Sequence, residues 1–270
     1  MFKLNNKNQN RIDLLLELVK TSFRMRYQNS VLGFLWVLIK PYAMFAVMYV
    51  VISNFKTASV DYFGIYLLSG LIFYSYVQEL IIVGQMSLLE RANIILKVNF
   101  SRQIAVLSAS IGALINLFIN LVLIFIIIFI YNPGREAGEA SISLEPLGIV
   151  YMFAVIFLTF FLSLGISLFT SILTIKYRDL KNISELGFAI FYWATPIFYS
   201  VDEGIGGDKI SKMIKLNPLG IMINQFRASM NVYGEIDIWI FLGFTLLTII
   251  LLITGWKYFN IKVKKIAEYF

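Results

Sequence analysis

An all-α polytopic membrane protein with six transmembrane helices is the fold class this sequence predicts, and three observations predict it. Residues 104–131 carry no charged side chain. As a helix they extend about 42 Å at ~1.5 Å per residue, beyond the ~30 Å of a hydrocarbon core. Further apolar stretches at residues 34–55, 62–86, 147–175, 186–201 and 238–256 accompany that run. The whole chain is 59% hydrophobic and 14% charged with a mean hydropathy of +0.78, outside the composition of soluble domains.

The first element is an amphipathic helix over residues 11–27, with Ile12, Leu15, Leu16, Val19 and Phe23 on one face and Asp13, Glu17, Lys20 and Arg24 on the other. It is expected in the membrane interface, so residues 1–33 form an interface segment and 34–270 the membrane domain. The first span holds Lys40 directly before Pro41, and the second holds Gln78 and Glu79. A charge at mid-span costs ~3 kcal/mol on insertion scales. The two charges either snorkel or pair, or they line a polar passage or meet an anionic substrate. After the second span, Ser87-Leu88-Leu89-Glu90 fits a capping box, followed by apolar Ile94, Ile95 and Leu96. It predicts a short helix parallel to the membrane that either paves the interface or plugs into a partner.

The fifth span is the shortest and contains Pro196, so it should be broken or incomplete. Residues 202–237 then carry Gly204, Gly206 and Gly207, lysines 209, 212 and 215, and Asn217-Pro218. Asn followed by Pro is an N-cap with proline at the first helical position, opening a helix of about a dozen residues that ends near Met230. Too short to span, it should be re-entrant or interfacial on the outer side, where irregular backbone marks a pathway mouth or an ordinary external loop. Asp202, Glu203 and Asp208 fail the EF-hand spacing and read as a solvated turn.

Charge distribution sets the orientation. Sixteen Lys and Arg fall on the side of the termini and six on the other, so both termini are expected in the cytoplasm. The net charge of +7 serves topology and anionic lipid heads, and calls for no nucleic-acid partner. Cysteine and histidine are both absent, which removes thiolate chemistry, disulfides, imidazole ligands and the commonest general base. With Glu79 the one carboxylate inside a span, a membrane-embedded transferase has little support. No Gly-Lys dipeptide occurs, so a phosphate-cradling loop is missing and any ATP is bound by another chain. Aromatics, 16% of residues, crowd the first span at Trp36, Tyr42, Phe45 and Tyr49 and the fifth at Phe191, Tyr192, Trp193 and Phe198. They serve as lipid-facing, core or belt residues, or as flat surfaces for the C–H faces of sugar rings.

The run from Arg26 through Tyr27, Gln28, Asn29, Ser30, Val31, Leu32, Gly33, Phe34 and Leu35 to Trp36, with Pro41 beyond it, resembles the membrane subunits of polysaccharide-exporting ABC transporters of the O-antigen and teichoic-acid type. The resemblance continues in order along the chain, at Lys97-Val98-Asn99-Phe100 with Arg102, at Tyr177-Arg178-Asp179, at Pro196, and at Asn217-Pro218 with Arg227. Ser101 departs from the proline many relatives carry between Phe and Arg. The resemblance implies a permease, not itself an enzyme, that pairs as a homodimer and docks two nucleotide-binding subunits, which hold the ATP and Mg; this chain binds no cofactor or metal. It implies a coupling role for Ser87, Glu90, Arg91 and Lys97 and for the loop at Arg178 and Asp179, and a lateral gate in the N-terminal helix. It further implies recognition of a lipid-linked pyrophosphate by Arg24, Arg26 and Lys40, a conduit lined by the first- and fifth-span aromatics, and an external gate at Asn217, Pro218 and Arg227. A drug or small-lipid permease of the same type and a non-catalytic assembly protein are the alternatives.

Overall fold

The computed structural model describes residues 6–27, 30–53, 62–97, 101–131, 142, 144–199, 212 and 214–264, and among these every regular element is a helix. In chain order they are α1 (Asn6–Tyr27), a 3-10 turn (Gly33–Leu35) leading into α2 (Trp36–Ser53), α3 (Phe63–Glu90), α4 (Ala92–Lys97), α5 (Gln103–Tyr131), α6 (Pro146–Lys176), α7 (Leu180–Ala194), α8 (Pro218–Ala228) and α9 (Ile238–Lys262). Five stretches are long and apolar enough to cross a membrane: Gly33–Ile52, Phe63–Glu90, Gln103–Ile130, Pro146–Lys176 and Ile238–Lys262. These match five of the six predicted spans to within a few residues.

The fifth predicted span is different. Its helix, α7, starts at Leu180, ahead of the expected boundary, because Lys181 and Glu185 pair along the helix at 3.7 Å instead of ending it. It stops before Pro196, whose ring disfavours helical backbone in the preceding residue. Its 15 residues cover ~22 Å, short of a bilayer core. The expectation of an incomplete span stands for the helix itself.

Two local expectations are corrected. The capping box is not formed: Ser87 lies inside α3, 1% exposed, with its hydroxyl donating to Gly84 O at 2.7 Å. No Gly or Pro interrupts residues 85–90, and extending an existing helix costs less than nucleating a new one. The break falls at Arg91, and the short helix that follows is α4. The packed face of α1 is also displaced. Leu18, absent from the predicted face, is the residue most buried there, whereas Ile12 and Leu16 are exposed. The helix packs on α5.

α3 is the axis of the bundle, with Tyr66, Phe73, Leu80 and Leu88 fully enclosed between α5 and α6. α6 in turn packs on α9 at a crossing where Gly165 and Gly255 meet. A methyl on Gly165 would stand 2.9 Å from the Leu251 carbonyl, and one on Gly255 would collide with Gly165 O. Small residues of this kind let helix backbones approach where lipid tails compete for every apolar surface. α2 is peripheral by contrast, with no buried residue in its apolar window. It leans on α3 through Tyr49, whose ring stacks on Phe63 at 6.2 Å and is flanked within α2 by Phe45 at 5.6 Å.

Hydrogen bonds place the helix ends. Arg102 donates to Val263 O and Gln103 to Asn260 Oδ1, so the C-terminal end of α9 sits beside the start of α5 and hence at the α4 end of the bundle. At the opposite end, Tyr233 packs edge-on against Tyr66 at 5.2 Å and Tyr151 donates to Gln225 at 2.6 Å, which gathers α8 with the starts of α3 and α6. Replacing Gly255 with Val should cost about 1–3 kcal/mol by forcing α9 away from α6. Gly243→Ala, whose new methyl would meet nothing within 4 Å, should leave stability unchanged. Thermal unfolding in detergent compares the two directly.

Candidate functional site

Three polar constellations are built into this apolar bundle. The first joins α7 to α8. After α7 ends, the carbonyls of Pro196 and Ile197 have no helical partner, and Arg227 from α8 reaches back to both at 2.9 Å. The same guanidinium donates to Tyr66 O at 3.2 and 2.9 Å and to Asn224 Oδ1 at 3.2 Å. Its carbon lies 3.4 Å from the Tyr66 ring centroid, and the Tyr66 hydroxyl donates to Tyr199 O at 2.8 Å. Arg227 is 0% exposed and holds its proton at any physiological pH, so these acceptors and the ring face are what make its burial tolerable. Gly70 makes room: a methyl there would stand 3.3 Å from the guanidinium carbon and closer still to a nitrogen.

Asn217 completes this junction. Its side-chain oxygen caps α8, accepting from Leu219 N at 2.9 Å and Gly220 N at 3.4 Å, while its amide donates to Ala194 O and Thr195 Oγ1 at 3.0 Å. The expected N-cap with Pro218 at the first helical position is therefore present, and it also ties the end of α7 to the start of α8. Asn217, Pro218 and Arg227, expected together as a gate, are together, and the hydrogen bonds of Asn217 and Arg227 described above run to α3, α7 and α8.

The second constellation lies at the other end. Arg91, expected at the surface for a partner, is turned inward and 7% exposed. It donates to Ser108 Oγ at 2.5 Å, to Ala105 O and to Ser22 Oγ, bolting α1 and α5 to the break between α3 and α4. The carbonyls and hydroxyls left at this helix break are better partners for a guanidinium than lipid. Glu90, Arg178 and Asp179 are exposed, the last two at the turn between α6 and α7. The side chains of Lys97 and Arg26, and all of residues 98–100, lie outside the described residues, as do Asp202, Glu203 and Asp208.

The third is a cleft of about 490 Å³ between α2, α3 and α5, lined among others by Trp36, Lys40, Ser75, Glu79, Asn116 and Asn120. It brings together the two in-span charges, Lys40 and Glu79, which were singled out separately. Asn116 donates to Glu79 Oε1 at 2.7 Å. Both asparagines are 6% exposed, and being uncharged they do not stand out from the apolar span as Lys40 and Glu79 do. Two amides four residues apart in an otherwise charge-free span were the available signal. Arg24 is exposed on α1 and does not line this cleft.

The expected aromatics divide. Trp36 stands at the cleft, Phe45 and Tyr49 are spent on the α2–α3 contact, and the Tyr42 hydroxyl approaches Asn120 O at 3.5 Å. On α7, Phe191 and Trp193 face outward, 48% and 64% exposed. Tyr192 packs against Tyr74 at 5.4 Å, and Phe198 against Trp193 at 5.5 Å.

Long apolar helices, buried arginines spent on backbone carbonyls and a polar cleft within the bundle define a multi-pass membrane protein. Among the described residues no group of His, Cys, Asp and Glu could hold a metal ion. The chain belongs to the ABC-2 type transporter family, which it matches over residues 13–231. Similar proteins include two O-antigen export system permease proteins RfbA of Klebsiella pneumoniae. One is 28% identical over 262 residues and the other 26% over 261, each alignment covering 95% of this chain and 94% of the relative. An RfbA permease of Myxococcus xanthus is 22% identical over 218 residues, 80% of this chain and 79% of that protein. The family makes this chain a transport subunit rather than an enzyme.

Two outcomes are expected at the bonded ends. Arg227→Leu strands the carbonyl of Ile197 and leaves Pro196 O with only the longer bond from the Tyr66 hydroxyl, at about 1–3 kcal/mol for an acceptor left dry, and should lower the unfolding midpoint. Arg91→Ala should free α1 while leaving the bundle intact, seen as faster amide hydrogen exchange over residues 11–24 without change in α3 or α6.

Proposed function

We propose that this chain is the membrane subunit of an ATP-driven exporter moving a lipid-linked polysaccharide, of the O-antigen or teichoic-acid kind, across the cytoplasmic membrane. The observation that carries the proposal is the end-to-end likeness to proteins named as O-antigen export permeases, over 95% of this chain. The absence of a Gly-Lys dipeptide is in keeping with it, because the nucleotide and its Mg then belong to a separate ATPase.

In this reading two copies pair around a conduit and each docks one nucleotide-binding subunit at the α4 end, which the excess of Lys and Arg assigns to the cytoplasm together with both termini. α7 and the turn through Tyr199 act as a sixth, incomplete crossing, a role supported by the bonds that hold Pro196 beside Tyr66 near the start of α3. α4, with Glu90, Lys97, Arg178 and Asp179 around it, receives the force of ATPase closure. Arg91 passes that force to α1, the lateral gate element, through Ser22. Arg24 and Arg26 on α1, with Lys40 further in, meet the pyrophosphate of the lipid carrier, since fixed cations at headgroup level suit a diphosphate. α8 closes the outer mouth, and the exposed rings of α7 face the conduit.

Reconstitution with the candidate ATPase tests this. Lipid-linked glycan should raise nucleotide turnover, and lipid without glycan should not. Reversing Glu90 to Lys together with Arg178 to Glu should cut the stimulated rate about fivefold or more while membrane insertion is unchanged. Arg24→Ala should raise the glycan-lipid concentration for half-stimulation about tenfold, the loss of one charge-assisted contact. An ATPase indifferent to every lipid-linked glycan would end the exporter reading.

A further inference from the structure

At the end of the bundle away from α4, α8 and the turn that leads into α9 enclose a pocket of about 470 Å³. Its lining carries both signs of charge, with Lys215 ahead of α8 and Glu235 and Asp237 ahead of α9. Two amides from α8 complete its polar wall. Asn224 Oδ1 accepts from Arg227 at 3.2 Å, and Gln225 Oε1 accepts from the Tyr151 hydroxyl at 2.6 Å and from Asp237 N at 3.1 Å. Those donors fix which way each amide faces, because an amide nitrogen cannot accept from them. Among the described residues neither NH2 group has an acceptor. Gln225 is 5% exposed, yet its nitrogen stays accessible, unlike the enclosed side-chain oxygens of Asn116 and Asn120. Asp237 uses Oδ1 to cap α9, accepting from Trp239 N at 2.9 Å and Ile240 N at 3.1 Å, which leaves Oδ2 open. Glu235 is exposed beside it.

The pocket thus sets N–H donors from α8 against carboxylate oxygens ahead of α9. A bare phosphate or an anionic headgroup would face both carboxylates, and a metal ion would face the Lys215 ammonium with two carboxylates at most. The ligand that answers both sides carries an anion and an N–H-bearing cation a few atoms apart. A trimethylammonium group has no N–H to give Glu235 or Asp237, so a primary ammonium is the better fit. The volume lies within the ~300–1,000 Å³ of small-molecule sites. What surrounds the pocket says where such a ligand comes from. Leu216, Ile238 and Trp239, next in sequence to its charged residues, are 76%, 60% and 81% exposed. Bare aliphatic and indole side chains at the end of a membrane helix belong at the level of lipid headgroups.

We propose that this pocket binds the headgroup of a phosphatidylethanolamine-type lipid. The phosphodiester accepts from the amides of Asn224 and Gln225, the primary ammonium donates to Glu235 and Asp237, and Lys215 adds positive charge ahead of α8. The glycerol and acyl chains leave over Leu216 and Trp239. Because Asn224 also holds Arg227, an occupied pocket steadies the unit formed by α7 and α8. The site goes beyond the exporter reading and needs neither glycan nor ATPase, so its test leaves that reading untouched.

Native mass spectrometry of the full-length chain, released from delipidated micelles, measures the affinity for the first bound lipid. The probes are dioleoyl phosphatidylethanolamine, its N-methyl and N,N-dimethyl forms, phosphatidylcholine and phosphatidylglycerol. Phosphatidylethanolamine should bind about tenfold tighter than phosphatidylcholine, with affinity falling as each methyl replaces an N–H. At saturation it should also raise the melting temperature more than phosphatidylcholine does. Glycerophosphoethanolamine, the same headgroup without chains, should bind at least tenfold more weakly than the lipid. Asn224→Asp keeps the oxygen that Arg227 binds and replaces the NH2 by a second oxygen, which repels the phosphodiester. It should weaken phosphatidylethanolamine about tenfold without lowering the melting temperature in lipid-free detergent. Glu235→Gln, at an exposed position, should reduce the preference over phosphatidylcholine about threefold. An asparagine that serves only Arg227 gives Asn224→Asp the lipid preference of the wild type, and that result overturns the proposal. So does a wild type that binds phosphatidylcholine or phosphatidylglycerol as tightly as phosphatidylethanolamine, or a preference unchanged in Glu235→Gln. Glycerophosphoethanolamine binding as tightly as the lipid overturns the membrane as its source.

Discussion

The guanidinium of Arg227 closes the backbone that Pro196 opens. A chain this apolar has few ways to interrupt a helix, because each carbonyl released from its ladder must find a donor away from water. α7 ends at Ala194, and the carbonyls of Pro196 and Ile197 are collected by one fully buried side chain that also holds Tyr66 O. Five N–H groups on a planar fork are what such a task requires, and lysine could not supply them in that geometry. Asn217 settles the remaining acceptors at Ala194 and Thr195 while capping α8. The short α7, the turn after it and the compact α8 are thus one hydrogen-bonded unit, set against the start of α3 by the Tyr66 ring.

The α4 end obeys the same rule with a different outcome. Arg91 also satisfies oxygens at a helix break, but its partners come from α1 and α5, so the bond crosses elements instead of sealing one. α4 itself has six residues, too few to be stable alone, and is held by its continuity with α3 and by the burial of Ile95. A push on α4 is therefore carried by α3, α5 and α1 together. The physical reason is that the one guanidinium near it is already committed inward, leaving the exposed charges of Glu90, Arg178 and Asp179 as the chemistry offered outward.

Length and the absence of charge made five spans legible, because a bilayer-sized apolar run has few alternatives. The cap at Asn217 and the stop at Pro196 were legible for the same reason: each follows from the backbone chemistry of one residue. The capping box at Ser87 failed because its residues satisfy a local rule that helix continuation satisfies at lower cost. The packed face of α1 was misassigned because periodicity names an apolar stripe without saying which part meets protein and which meets lipid. Leu16 lies on the apolar stripe and Leu18 off it, and it is Leu18 that packs once α5 is in place. Arg91 was the clearest miss. A charged residue between helices reads as surface, and nothing in the sequence marks the serines and carbonyl, at Ser22, Ser108 and Ala105, that draw it inward.

The cleft under α2 is the counterpart of both arginine sites. There, every polar group named has its partners, and the result is rigidity. Here two buried asparagine oxygens have none, as is also true of the Gln85 amide, Ser163 and Thr248 among the described residues. The wall over the cleft is α2, the least buried of the long helices, held to α3 by ring contacts rather than by a hydrogen-bonded clamp. The cleft thus joins two opposite charges and two amides beneath the helix that the bundle holds least.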